Sequence, residues 1–100
     1  MYLINTSFHI HEPISAEVVN AIRDELIPAV RRSGLFGEPQ FLRIMLEIDP
    51  SLRAYSLQMT ANDPESAMAW LEGEGGTFFQ RLTQNYGERL VYFTTPMEVL

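Results

Sequence analysis

Residues 1–96 repeat one short unit, strand then helix then strand, with a tight turn predicted between the copies at Asp49-Pro50-Ser51. In 100 residues a βαββαβ order leaves little architectural freedom, because each helix must return the chain to one four-stranded antiparallel sheet and cover one of its faces. The fold class is therefore α+β, with two helices on one face of the sheet. The other face is open to water, a second copy of the chain, or a ligand. One domain over residues 1–100 is expected, whose single core buries roughly two-thirds of the surface that the unfolded chain exposes.

Period-two alternation assigns the faces. The first strand, about Tyr2–His11, sets Tyr2, Ile4, Phe8 and Ile10, interrupted by Thr6, against Asn5, Ser7, His9 and His11. The second, about Gln40–Glu47, separates Leu42, Ile44 and Leu46 from Phe41, Arg43, Met45 and Glu47, and the third, about Arg53–Thr60, separates Tyr55, Leu57 and Met59 from Ser56, Gln58 and Thr60. The fourth spans Arg89–Thr95 and stops at Pro96. Ile4, Phe8, Ile44, Leu57 and Phe93 are expected beneath the helices, and Asn5, Gln58, Tyr92 and Thr94 on the open side.

The helices carry their own punctuation. Ser15 is expected to cap the first, whose buried stripe is Val18, Val19, Ile22, Leu26 and Val30, and Gly34 to end it. Pro28 lacks the amide that would bond the carbonyl of Asp24, so a kink is predicted there. Asp63 followed by Pro64 starts the second helix, with the stripe Ala67, Leu71, Gly75, Phe78, Leu82 and Tyr86. Gly73, Gly75 and Gly76 predict a break in it. The aromatic spacing of Trp70, Phe78, Phe79 and Tyr86 reads as core packing, with Phe79 outside the stripe and available to a partner.

Composition removes whole chemistries. Without cysteine there is no disulfide, thiolate nucleophile or zinc-thiolate site, and all seven basic residues are arginine, which removes a lysine Schiff base. A net charge of −6 with no basic run argues against nucleic acid and against an anionic membrane surface. The start, Met1 to Ser7, has no basic region and turns polar at Asn5, so neither a signal peptide nor a spanning helix is expected and the protein is placed in the cytoplasm.

Met1-Tyr2-Leu3 with Asn5, Ile27-Pro28 followed by Gly34-Leu35-Phe36, Leu42-Arg43, Tyr55 with Gln58, and Val91 and Phe93 before Met97-Glu98-Val99 together resemble an uncharacterised bacterial family, domain of unknown function 4286. The likeness runs through nearly the whole chain. It implies a ferredoxin-like fold of the dimeric α+β barrel kind, in which two sheets face each other around a central space, and it supplies no activity. The family pattern carries a histidine before the Ile-Pro pair and another in the second helix. Here those places hold Leu26 and Glu74-Gly75-Gly76, so roles resting on those histidines do not carry over. Related barrels bind haem or aromatic compounds, and Asn5 and Trp70 resemble residues of haem-degrading members, but the helical histidine ligand falls near Gln80.

The candidate pocket or interface is Asn5, Ser7, His9, Arg43, Gln58 and Tyr92. His9 and His11 share a face and could grip one ion, but two ligands are too few and Glu47, on the same face, belongs to a strand at the far edge of the sheet, so a third ligand would have to come from elsewhere and no metal and no cofactor are expected. The expected role is association or small-ligand binding by a homodimer through the open face. The alternative is a small cofactor-independent oxygenase or isomerase using His9 with Arg43 or Tyr92, in a pocket between facing sheets. No catalytic motif selects between them.

Overall fold

The computed structural model describes residues 1–46 and 49–100. Strands β1 (Tyr2–His11), β2 (Gln40–Arg43), β3 (Leu52–Ala61) and β4 (Leu90–Glu98) form one antiparallel sheet in the order β2-β3-β1-β4. A first helical run, α1 (Ser15–Ala21), a π-helical turn (Ile22–Leu26) and α2 (Ile27–Ser33), joins β1 to β2, while α3 (Pro64–Glu72) and α4 (Glu74–Tyr86) join β3 to β4. This is the ferredoxin-like α+β arrangement. β1 is central, and its helix-side residues Ile4, Thr6, Phe8 and Ile10 are all 0% exposed. They share one core with Val18, Ile22, Leu26 and Val30 of the first run and Leu71, Phe78 and Leu82 of the second.

Local signals explain most boundaries. Asp63 caps α3 by accepting from the amides of Glu65 and Ser66, at 3.1 and 3.4 Å, and from the Ser66 hydroxyl at 2.7 Å. Gly34 ends α2 in the left-handed region at φ 71°, where a Cβ would be strained. The turn at Asp49 closes as expected, its carboxylate accepting from the Ser51 amide at 2.9 Å and hydroxyl at 2.7 Å. Ser15 does not cap. A 3₁₀ turn over Glu12–Ile14, started by Pro13, begins the helical path one turn earlier and leaves Ser15 as the first α-helical residue. Pro28 is absorbed by widening the preceding turn, where the Ile27 amide bonds the carbonyl of Ile22, five residues back, in place of an α-helical bond.

The glycine segment breaks the second helical run at Gly73, whose φ and ψ of −90° and −98° lie outside the helical region. The apolar stripe stays in phase across the break, since Ala67, Leu71, Gly75, Phe78 and Leu82 are all buried. Gly75 is required by packing. A Cβ built there would come within 2.8 Å of the Trp70 ring, which is held by Phe36 edge-on at 5.7 Å and by a bond from Nε1 to Glu74 at 2.8 Å. Phe79 is buried, not available to a partner: it stacks on Tyr92 at 4.7 Å and on Phe8 at 6.1 Å.

Two strands face the opposite way from expectation. Tyr92 pairs with Phe8 and Thr94 with Thr6, which puts both on the helix side, while Phe93 pairs with Ser7 on the open side. On β2, Phe41 pairs with Leu57 and Arg43 with Tyr55, again on the helix side, and Leu42 pairs with Ser56. Ile44 continues that register, its amide bonding the Ala54 carbonyl at 2.9 Å, and is 40% exposed where burial was expected. Both strands are apolar on both sides, so their alternation carries no decisive sign and cross-strand pairing sets it. β2 also ends at Arg43, short of the expected Glu47, which lies outside the described residues. Among the described residues no helix is long and apolar enough to cross a membrane.

Gly75→Ala should destabilise the protein by about 1–3 kcal/mol in urea unfolding, because the added methyl meets a ring held from two sides. A gain of about 1 kcal/mol would instead mark Gly75 as a mere weak helix former. Asp63 has its pKa lowered, first by the Ser66 hydroxyl and then by the Ser66 amide. A depressed folded pKa means that the cap stabilises above the ordinary carboxylate range and is lost as pH falls through the folded value. Thermal melts of Asp63→Ala should therefore lie below wild type at pH 7 and converge with it in acid, below roughly pH 4.

Candidate functional site

Directly opposed residues of antiparallel strands share a face, so the register lines the open side up in rows running β2, β3, β1, β4. One row is Gln40, Gln58, Asn5 and Thr95; the next is Leu42, Ser56, Ser7 and Phe93; the third is Ile44, Ala54, His9 and Val91. The middle of the first two rows is polar and the edges of the last two are apolar.

The polar middle is a connected network. Asn5 donates through Nδ2 to Ser7 Oγ at 3.0 Å, the Ser56 hydroxyl donates to Asn5 Oδ1, and Gln58 Nε2 donates to Ser56 Oγ at 3.3 Å. Ser56 is buried, and among the described residues every buried side-chain polar atom has a partner. The network leaves the Ser7 hydroxyl proton free to donate outward, since Ser7 Oγ only accepts from Asn5. Around it stand exposed apolar side chains: Leu42 at 42%, Ile44 at 40%, Val91 at 56%, Phe93 at 52% and Met97 at 41%. His9 stacks on Phe93 at 6.2 Å with an interplanar angle of 18°. Beyond His9 an open groove of about 320 Å³ is lined by His9, His11, Leu52, Glu88, Arg89 and Val91.

Of the residues singled out in the sequence, Asn5, Ser7, His9 and Gln58 share the open face. Arg43 and Tyr92 lie on the opposite face with the helices, so neither can stand beside His9 within one chain. Thr60 faces outward opposite Leu3, and Thr94 faces the core, its hydroxyl 2.8 Å from that of Thr6. Asn5 and Trp70 are on opposite sides of the sheet, which removes the pocket they were compared with. His9 and His11 face the same side, and among the described residues no three metal-ligating side chains come together. Sequence reasoning missed Leu42, Ile44, Val91 and Phe93 as members of this face. One signal could have found the last two: Thr6 interrupts an apolar row, a buried hydroxyl needs a partner, and Thr94 supplies it only if Phe93 faces away.

The family model described as Domain of unknown function (DUF4286) matches residues 1–100. No curated protein matches the chain. Among solved structures, HapK from Hahella chejuensis is 14% identical with a TM-score of 0.70, covering 100% of this chain and 93% of that one. An antibiotic biosynthesis monooxygenase is 15% identical with a TM-score of 0.62, covering 98% of each chain. A dimeric ferredoxin-like protein from an uncultured marine organism is 14% identical with a TM-score of 0.57, covering 99% of this chain and 95% of that one. At such identities the shared property is the fold.

Ser56→Ala should cost about 1–3 kcal/mol in urea unfolding, because it leaves the Asn5 carbonyl and the Gln58 amide without their common partner. An unchanged midpoint would mean that water already competes at the network.

Proposed function

This chain belongs to the family described as Domain of unknown function (DUF4286), and from that footing we propose that it works as a homodimer whose open sheet faces meet and enclose a small-ligand space over the Asn5, Ser7, Ser56 and Gln58 network. The observation that carries this is the ring of half-exposed Leu42, Ile44, Val91, Phe93 and Met97 around a polar centre. Apolar surface of that extent marks an interaction or ligand site, and the polar centre between the apolar edges, the reverse of an ordinary apolar-centred contact, suits a space that holds a ligand or water between the faces. The area suffices. Strands of 10, 4, 10 and 9 residues, at about 3.3 Å per residue and about 4.8 Å apart, give a face of roughly 520 Å², so two faces at full overlap bury about 1,000 Å², the level at which a stable contact begins. The dimeric description of one structural neighbour supports the same reading. The catalytic alternative is less well served, because His9 has neither Arg43 nor Tyr92 beside it.

Sedimentation at micromolar concentration should give a dimer. Phe93→Glu places an unpaired charge in the contact and should weaken it by about a hundredfold or more. A wild-type monomer would overturn the proposal, and a dimer indifferent to Phe93→Glu would move the contact off this face.

A further inference from the structure

We infer that the groove beyond His9 binds a small α-amino acid with an aliphatic side chain, holding its carboxylate with Arg89 and the histidines and its ammonium with Glu88. The groove, of about 320 Å³, lies at the end of the sheet where His11 pairs with Leu52, and Leu52 and Val91 supply its apolar walls. That volume is at the lower end of the range for small-molecule sites and limits the ligand to few atoms. All the lining residues belong to one chain, so the inference stands apart from the sheet-face dimer proposed above.

The donors are in place and unpartnered. His9 and His11, the only histidines in the sequence, alternate with Ile10 on β1 and so face the same side. Neither ring makes a hydrogen bond among the described residues, and His9 is kept in orientation by stacking on Phe93 at 6.2 Å. Asp49, the carboxylate near His11, is already engaged with the Ser51 amide and hydroxyl. Arg89 is anchored at the end of α4: Nε donates to the Tyr86 carbonyl and Nη2 to the Asn85 carbonyl, each at 3.2 Å, and its Cζ lies 5.6 Å from the centroid of the Tyr86 ring. These contacts fix the guanidinium while leaving Nη1 without a partner among the described residues, so little side-chain freedom is lost when a carboxylate arrives.

Glu88 decides the charge of the ligand. It lines the same groove, is exposed, and forms no ion pair with Arg89 or with any other described residue, so a simple anion would meet an unpaired carboxylate. A simple cation would meet the guanidinium of Arg89 in the same way. A ligand carrying both charges satisfies both groups, and Glu88 and Arg89, consecutive along the chain with Cα atoms about 3.8 Å apart, suit charges borne close together. An amino acid zwitterion has that character, with a single α-carbon between ammonium and carboxylate. Its side chain then meets Leu52 and Val91, the latter 56% exposed, and removes their apolar surface from water.

Leucine is the probe, with isocaproate, which lacks the ammonium, and leucinamide, which lacks the carboxylate, as its halves. Both histidines of the chain line the groove, so their ring resonances in proton NMR report on it without background. Leucine should shift both saturably, with a dissociation constant in the millimolar range, the affinity that so few atoms in an open groove allow. Each half should bind at least about tenfold more weakly, since each leaves one charged group of the groove without its partner. Glu88→Gln, a change at an exposed residue without partners, should bring leucine down to the level of isocaproate and leave isocaproate no weaker. Arg89→Gln should bring leucine down to the level of leucinamide. No saturable shift up to about 20 mM leucine would overturn the inference. So would isocaproate binding as tightly as leucine, which would make the groove a plain anion site, or leucine binding indifferent to Glu88→Gln.

Discussion

β1 is hydrogen-bonded on both sides, to β3 and to β4, and its Ile4, Phe8 and Ile10 are buried completely under the two helical runs. A slip of one residue in either pairing would carry a whole row of side chains through the sheet, trading buried apolar groups for exposed ones. That penalty locks the register of all four strands. The register in turn decides which groups meet on the far side, where no helix competes for them. The Asn5 network and the Phe93 edge exist on one surface because Phe8 and Thr6 are held on the other.

The helix side shows how such locking is completed. Thr6 would be an unsatisfied hydroxyl in the core without Thr94 at 2.8 Å, and Phe8, Phe79 and Tyr92 form a stacked series that ties α4 to both β1 and β4. Trp70 folds over Gly75 at a break in the second helical run, where any larger residue would displace the ring. These contacts bind the helices to the sheet at several points. They leave the open face with hydrogen bonds among its own side chains and few obligations to the rest of the fold. A surface of that kind can change its function while the core stays as it is, consistent with fold and activity being separable properties.

The open face combines two preferences that one chain alone cannot satisfy. Its apolar edges gain from leaving water, while its polar middle is already paired and needs only partners or water for the remaining donors and acceptors. The second copy proposed above would meet both demands. In that dimer the space between the faces would take its walls from two chains, and its chemistry from neutral hydrogen-bonding groups with a histidine at one end.

By itself the sequence determined the element order, the antiparallel sheet and most of the helix boundaries. Those signals are local: the alternation of β1 and β3, the Asp63-Pro64 start, Gly34 in the left-handed region, and the glycine break near Gly73. It also placed Asn5, Ser7, His9 and Gln58 together, since they sit on strands with one clearly apolar side. Tertiary structure alone decided the sides of β2 and β4, and with them the removal of Arg43 and Tyr92 from the site and the arrival of Leu42, Ile44, Val91 and Phe93. The physical reason is that Phe41-Leu42-Arg43-Ile44 and Val91-Tyr92-Phe93-Thr94 offer apolar groups to either face, so their orientation is set by pairing with β3 and β1 and not by their own pattern.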